Sequence, residues 1–270
     1  KIKKKKRPYP LLSLMLLLPF LLYHGNNALD ITTFEIPSDE LSGLRILHLS
    51  DLHNKSFGKN QEKIIEKINE IKPDLIVFTG DLVDGRRKGH QNALTLMDIL
   101  SKNYTVYRVN GNHDFGDNGY ALKPKLDELH IVTLENACDT YYYNDIPVQI
   151  KGVDDPISYD RASRETEFKN SLEILDDTVY NILLSHRPEH FNDYVEAGYD
   201  LVLTGHAHGG QLRLPVLGGV IAPHQGILPA YDAGAYTSGS TTMIVSRGLG
   251  NSLFPFRMFN NPELVVIDFK

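Results

Sequence analysis

The residues of this chain that could do chemistry lie in short polar clusters, each directly after an apolar run. The five clusters are Ser50–Asn54, Gly80–Asp84, Gly111–Asp114, Ser185–His186 and Gly205–His208. One such cluster is most simply a turn, and a single Asp or His in it needs no functional explanation. Five clusters at equivalent strand ends favour a shared site, because ligands of α/β sheets bind at strand ends.

The side chains in these clusters are of the types that bind divalent metals. Asp51 and His53 are two residues apart, as are His206 and His208, and this spacing puts both side chains on one side of an extended segment. The candidate ligands are Asp51, His53, Asp81, Asn112, His186, His206 and His208. They suit Mn, Fe or Zn, and seven ligands without a thiolate predict two metals that share one carboxylate.

The apolar runs before the clusters predict the strands that position them. These strands are 44–49, 75–79, 105–109, 181–184 and 201–204. Helical periodicity over 60–72 and 93–100 makes the first part β-α-β-α-β. Further helices are predicted over 120–130, 164–175 and 189–196. Short strands over 131–153 predict a second, more antiparallel sheet. Residues 209–240 are predicted to be long loops, and 242–246 and 264–269 strands.

Composition describes a globular protein with an acidic body and a basic tip. The chain has 270 residues, of which 41% are hydrophobic and 23% charged. The single cysteine, Cys138, cannot form an internal disulfide. Acidic residues outnumber basic ones by 34 to 28, yet six of the bases lie in residues 1–7. This charge distribution argues against nucleic acid as a partner and fits a tail that faces anionic lipid.

The amino-terminal segment, residues 1–29, predicts a membrane anchor or signal peptide ahead of a catalytic domain at residues 30–270. The apolar stretch from Tyr9 to Tyr23 would rise about 22 Å as a helix, short of a hydrocarbon core of about 30 Å. No convincing cleavage site follows, so a short uncleaved anchor is favoured over a cleaved signal peptide. The positive-inside bias would then place the catalytic domain outside the cytoplasm.

In this order, the motifs Asp-x-His, Gly-Asp-x-x-Asp, Gly-Asn-His-Asp, a lone His and Gly-His-x-His resemble those of the calcineurin-like metallophosphoesterases. The resemblance implies a four-layer α/β/β/α sandwich of two mixed sheets with a dinuclear metal centre at the strand ends. By the same resemblance, one metal would be held by Asp51, His53 and His208, the other by Asn112, His186 and His206, with Asp81 as the bridge.

The resemblance also implies a catalytic histidine that binds substrate rather than metal. This residue is His113, which would stabilise the charge on phosphate or protonate the leaving oxygen. Asp84 matches the acid that orients it in some members of the family. Asp114 is a second candidate for that role, because its position beside His113 does not show where its side chain points.

A closer resemblance covers most of the chain and is to bacterial membrane-anchored phosphoesterases of this superfamily. It rests on the anchor, Ser50–Asn54, Gly205–Gln211, Ala222–Gly226 and Val245–Gly250. It implies a phosphoester or nucleotide-lipid substrate such as UDP-2,3-diacylglucosamine, contact with the membrane through the amino terminus, and no obligate protein partner. Four arginines (Arg187, Arg213, Arg247 and Arg257) are candidates for binding phosphate. Arg247 is the preferred one, and His224 is predicted to line the pocket.

The function predicted from the sequence is hydrolysis of a phosphodiester or pyrophosphate bond. A phosphomonoesterase that acts on proteins or nucleotides is the alternative enzyme. An inactive metal-binding scaffold is the alternative of another class, but it is expected to lack the catalytic histidine or the bridging acid, and His113 and Asp81 are both present.

Overall fold

The computed structural model describes residues 9–174, 176–252 and 254–270. The basic tip at residues 1–7 and Leu175, the predicted end of the helix over 164–175, lie outside the described residues. The helices are α1 (Tyr9–Asn27), α2 (Glu62–Ile71), α3 (Gln91–Ser101), α4 (Asp117–Asp127), α5 (Arg164–Ser171) and α6 (Phe191–Ala197). The strands are β1 (Asp30–Ile36), β2 (Arg45–Leu49), β3 (Leu75–Thr79), β4 (Thr105–Val109), β5 (Val132–Thr133), β6 (Cys138–Tyr143), β7 (Ile146–Gly152), β8 (Tyr180–Leu184), β9 (Leu201–Thr204), β10 (Arg213–Leu214), β11 (Gly218–Gly219), β12 (Ile221–Ala222), β13 (Gly226–Ile227), β14 (Gly234–Ser238), β15 (Thr241–Val245) and β16 (Glu263–Phe269).

The first sheet has the strand order β1-β16-β2-β3-β4-β5. Its strands β2 to β5 are parallel, and β16 runs antiparallel to β2 and parallel to β1. Strand β3 is buried at every position, and β4 is buried from Val106 to Val109, as expected for parallel strands that are covered on both faces.

The second sheet has the order β14-β15-β9-β8-β7-β6, and it is mixed rather than mainly antiparallel. Strands β15, β9, β8 and β7 are parallel neighbours, and only the outer strands β6 and β14 are antiparallel to theirs. The short strands predicted over 131–153 divide between the sheets, because β5 pairs with β4 of the first sheet. The prediction of two mixed sheets is confirmed.

Three separate clusters of buried apolar side chains give the molecule four layers. Ile76 and Phe78 of the first sheet pack with Ile64 and Ile68 of α2. The opposite face of this sheet packs against the second sheet. The outer face of the second sheet is covered by α5 and α6. This is the predicted α/β/β/α sandwich, and it brings the ends of strands from both sheets to one site.

The amino-terminal prediction is corrected by the structure. Helix α1 has 19 residues, but it gains its extra length from a polar end that includes His24, Asn26 and Asn27. Among the described residues, no helix is long and apolar enough to cross a bilayer. The prediction of a membrane-anchored protein with an extracytoplasmic catalytic domain is therefore wrong.

The segment predicted as long loops, 209–240, contains short paired strands. Strand β10 pairs with β11 and β12 with β13, through two residues each, and β14 adds an edge to the second sheet. Glycine and proline interrupt every apolar run here, so pairing extends over only a few residues.

Candidate metal centre

The loops after β2, β3, β4, β8 and β9 carry the predicted ligands, and backbone hydrogen bonds join the first two of these loops. The backbone N–H of Asp51 donates to Gly80 O at 3.0 Å, and that of His53 donates to Asp81 O at 3.0 Å. These bonds fix the separation of the two loops before any side chain contributes.

Five of the seven predicted ligands have a left-handed backbone conformation. Their φ angles are 52° for Asp51, 48° for His53, 55° for Asp81, 65° for His206 and 49° for His208. Residues other than glycine adopt this region at a cost in free energy, and such strain concentrates at functional sites. The loops after β2, β3 and β9 therefore turn sharply at the residues whose side chains point into the site.

Asp51, His53, Asp81 and His208 form the first group of possible ligands. Each offers one atom, and these atoms lie within 4.8 Å of one another. His208 Nε2 is 3.3 Å from Asp51 Oδ1, and His53 Nε2 is 3.5 Å from Asp81 Oδ2. All four residues are buried.

Asp81, His186 and His206 form a second group within the same limit. His186 Nε2 is 3.4 Å from Asp81 Oδ2 and 3.0 Å from His206 Nδ1. Asp81 is therefore common to both groups, which is the geometry that a shared carboxylate requires.

Two buried oxygen atoms show that this centre suits a cation. Asp51 Oδ1 and Asn112 Oδ1 accept no hydrogen bond from any described residue. A buried acceptor without a donor is costly, and metal coordination would satisfy it. Oxygen and imidazole donors without a thiolate fit Mn, Fe or Zn.

Burial controls the ionisation of most of the imidazoles. Burial lowers the pKa of His53 to about 3 and the pKa values of His206 and His208 well below the usual range. These rings are therefore neutral at pH 7, which is the form that binds metal.

The carboxylates and His186 respond to burial and to one another. Burial raises the pKa of Asp51 to about 6. Burial also opposes the charges of Asp81 and His186, but their attraction prevails: it holds the pKa of Asp81 well below its usual range and raises that of His186 to about 10. A cation bound at this place would take over the role of the proton on His186.

Glycines at two of the clusters allow the loops to approach closely. A side chain on Gly111 would collide with the backbone and carboxylate of Asp81. A side chain on Gly205 would collide with Ser50 and with the Asp51 carboxylate. The glycines that precede Asn112 and His206 are thus required by the packing of the ligands.

His113 lies beside the first group and contacts Asp84. Its ring meets that of His53 edge to face, with 4.8 Å between centroids. The backbone N–H of Gly85 donates to His113 Nδ1 at 2.9 Å, and Asp84 Oδ1 is 3.4 Å from the same atom. With Nδ1 as an acceptor, the neutral ring carries its proton on Nε2.

Asp114, the other candidate to orient His113, points elsewhere. Its carboxylate accepts hydrogen bonds from the backbone N–H groups of Asp81, Leu82 and Gly111 at 2.9 to 3.1 Å. It also lies 3.4 Å from Arg108 Nη2. Asp114 therefore holds two loops together, and Asp84 is the acid beside the catalytic histidine candidate.

The ligand groups open into a cleft of about 520 Å³ with one polar and one apolar wall. Asn112, His113 and His224 line it, so the structure brings His224 to the predicted pocket. Its apolar wall consists of Leu212, Val220, Ile221, Ala222, Pro223 and Phe254.

Arg86 also lines this cleft, and no sequence motif pointed to it. Its Nη2 is 3.3 Å from His113 Nε2 and donates to Ser252 Oγ at 2.9 Å. The feature of the sequence that could have identified Arg86 is its position two residues after Asp84. Both Arg86 Nη2 and His113 Nε2 are donors, so a substrate oxygen between them would accept from both.

Three of the four arginines favoured by the sequence, Arg187, Arg213 and Arg247, lie in ion pairs. The fourth, Arg257, is buried and donates to the backbone carbonyls of Gly250 and Arg247. Arg247 Nη2 is 2.9 Å from Glu263 Oε1 and 3.2 Å from Asp30 Oδ2, and Arg247 is absent from the described lining of the cleft. Arg187 forms a buried ion pair with Asp155. The role predicted for Arg247 in phosphate binding is thus not favoured by its contacts.

Comparisons with known proteins agree with this site. A sequence model of the family described as calcineurin-like phosphoesterase matches residues 44–210. A Bacillus subtilis protein described as uncharacterized metallophosphoesterase YkuE is 33% identical over 234 residues, which are 84% of this chain and 79% of that protein. Another from the same organism, uncharacterized metallophosphoesterase YkoQ, is 28% identical over 267 residues, 94% of this chain and 96% of its own length.

Proposed function

Because the chain belongs to the calcineurin-like phosphoesterase family, we propose that it hydrolyses a phosphodiester or pyrophosphate bond with two divalent cations. Membership makes it a metal-dependent phosphoester hydrolase. The proposal of two cations is carried by one observation: the buried carboxylate of Asp81 belongs to both groups of possible ligands.

In this proposal Asp51, His53 and His208 hold one cation, and Asn112, His186 and His206 hold the other. When bound, the cations supply Lewis acidity toward the phosphoryl oxygens and lower the pKa of water. The protein contributes a buried site whose ligands are already in place, so little reorganisation accompanies the reaction.

His113 and Arg86 act on the substrate in the same region. As the imidazolium, with the Asp84 carboxylate 3.4 Å from Nδ1, His113 can donate its Nε2 proton to the oxygen that leaves phosphorus and return to the neutral ring. Arg86 donates to a non-bridging oxygen of the same phosphoryl group, with Ser252 to hold its guanidinium. Asp84 would stabilise the ring when it is protonated.

The size of the cleft favours a substrate with a group on each side of phosphorus. A space of about 520 Å³ exceeds what a phosphate needs, and one wall is apolar. This wall supports an ester arm with apolar character, as in a nucleotide-lipid such as UDP-2,3-diacylglucosamine.

A substrate panel tests the proposal. With manganese, kcat/KM for bis(p-nitrophenyl) phosphate is expected to exceed that for p-nitrophenyl phosphate, and UDP-2,3-diacylglucosamine is expected to release UMP. A preference for the monoester would contradict the diesterase assignment. If only UDP-2,3-diacylglucosamine is not hydrolysed, the nucleotide-lipid is excluded as a substrate and the diesterase assignment stands.

The apolar wall has its own test in two exposed phenylalanines. Phe254 lines the cleft, whereas Phe256 is similarly exposed and does not. Phe254→Ala should raise KM for a diester with an apolar arm by about tenfold, the effect of about 1.4 kcal/mol of lost contact. Equal effects of Phe254→Ala and Phe256→Ala would show that the wall does not bind substrate.

A further inference from the structure

A second cleft, of about 270 Å³, lies beside the metal centre. None of the described residues lines both clefts, although both clefts reach the candidate ligands: His53 lines the small cleft, and Asp81 lines the large one. One loop contributes to both, because Arg86 lines the large cleft while Arg87 and Lys88 line the small one. A substrate bound at the metals could therefore extend in two directions.

The lining of the small cleft is cationic and rich in hydrogen-bond donors. Arg87 and Lys88 bring two positive charges, whereas burial lowers the pKa of Lys55 to about 7. Among the described residues the one acid in the lining is Asp84, which lies 2.7 Å from Arg87 Nε. Four carboxamides complete it, from Asn26, Asn27, Asn54 and Asn251. The larger cleft has an apolar wall, but no apolar side chain from the described part of the chain lines the small one. Such a lining suits an oxyanion.

His53 adds a donor whose partner is missing from the described residues. Its Nε2 faces the other candidate ligands, and its Nδ1 is buried with no hydrogen-bond partner among the described residues. A histidine that binds metal through one nitrogen normally donates from the other to a carboxylate or carbonyl. An anion in the small cleft could accept this bond, which would couple the small cleft to the metal centre.

We propose that the small cleft binds a second phosphate group, carried on the polar arm of the substrate. The inference rests on the proposed function, since it assigns the polar arm to the small cleft and the apolar arm to the large one. Lys88 is exposed, so its ammonium group is available to such a phosphate. The substrate class is a phosphodiester or pyrophosphate with a further phosphate on its polar side.

Lysine labelling of the manganese-loaded protein tests the site without turnover. Thymidine 3′,5′-bisphosphate should slow acetylation of Lys88, measured by mass spectrometry, at least about threefold, while thymidine 5′-monophosphate should leave it unchanged. Lys63, an exposed lysine on α2, serves as the control and should react equally in all samples. Equal protection by both nucleotides would place the anion at the metals, and no protection would leave the cleft without a ligand. Either result overturns the proposal.

A pair of reporter esters tests the same site in catalysis. The p-nitrophenyl esters of thymidine 5′-monophosphate and of thymidine 3′,5′-bisphosphate differ only in the second phosphate. Lys88→Glu should raise KM for the bisphosphate ester about tenfold relative to the other ester, Lys88→Arg should restore the ratio, and Lys63→Glu should not change it. An unchanged ratio in Lys88→Glu contradicts the inference. If neither ester is hydrolysed, the proposed function fails, and the labelling result still decides the binding site.

Discussion

The two sides of the large cleft are built in different ways. One side, here called the fixed rim, consists of Ser50–Asn54, Gly80–Gly85 and Gly111–Asp114. Backbone hydrogen bonds and the Asp114 carboxylate tie these loops together. The other side, the open rim, is residues 212–228, where two-residue strands pair and Val216, Leu217 and Ile227 are exposed.

The difference separates the chemistry from the choice of substrate. Ligands must keep their positions to within fractions of an ångström, and the fixed rim achieves this with buried groups that are mutually hydrogen-bonded. An apolar wall needs only shape and hydrophobic area, so its loops can vary with little effect on the centre. Changes to the ligands and buried acceptors of the fixed rim should therefore affect metal and fold, and changes in the open rim should affect KM.

The largest effect is expected from Asp81, which belongs to both groups of ligands. Asp81→Ala should bind less metal, as measured by elemental analysis after dialysis, and lose more than about 10⁴ in kcat, because both cations lose a ligand. Asp193→Ala is the matched control: Asp193 belongs to another acid and histidine cluster, with Glu165 and His190, and should not affect metal content. Full metal content in Asp81→Ala would contradict the shared carboxylate.

His113 should separate catalysis from metal binding within the fixed rim. His113→Ala is expected to keep its metals and lose about 10²–10⁴ in kcat, the usual contribution of a general acid. The loss should be smaller for a p-nitrophenolate leaving group, which needs no proton, than for an alkoxide. Equal losses for both leaving groups would exclude proton donation as its role.

Asp114 tests whether the fixed rim depends on one buried carboxylate. Asp114→Ala leaves the backbone N–H groups of Asp81, Leu82 and Gly111 without this acceptor, and we expect a loss of about 3 kcal/mol in the free energy of unfolding. In the open rim, Ile227→Ser should change it by less than about 0.5 kcal/mol, because Ile227 is 76% exposed. Urea denaturation measures both, and similar losses would remove the distinction between the rims.

The smallest effect concerns His48, on β2 below the fixed rim. Burial lowers its pKa to about 3, and its Nε2 is 2.8 Å from Thr79 Oγ1. The unfolded chain, with an ordinary pKa near 6.5, binds a proton below that pH and the folded protein does not. Stability should therefore fall as the pH falls below about 6.5, by about 2 kcal/mol at pH 5 from this group. Urea unfolding of His48→Gln between pH 7 and 5 should show a shallower decline than the wild type, and parallel declines would refute this contribution.

Much of the fold and the clustering of the ligands follow from local sequence. Apolar runs of four to six residues that end in Asp, Asn or His identify both the strands and the residues at their ends, because parallel strands end on one edge. The seven ligand candidates, His113 and His224 accordingly meet in one region of the structure. Their roles as ligands and catalyst stay predictions.

The features that the sequence did not reveal depend on partners distant in the chain. Arg247 resembled a phosphate ligand between Ser246 and Gly248, but Asp30 and Glu263 neutralise it. Arg86 was part of a basic run that is usually solvated, and its role depends on Ser252. Pairing of β5 with β4 could not be inferred from two residues of strand, because register over such a length carries little information.

The placement of β16 between β1 and β2 has a consequence for folding. The first sheet holds the loops of the fixed rim. Within this sheet, the neighbour of β2 on one side is β16, which comes from a much later part of the chain. On a ribosome, β2, β3 and β4 emerge well before that neighbour, so the edge of β2 is unpaired while the rest is made. Contacts of this high sequence separation slow folding and expose strand edges to other chains. We therefore expect nascent chains that lack β16 to be prone to aggregation, and the complete centre to assemble only after β16 has entered the sheet.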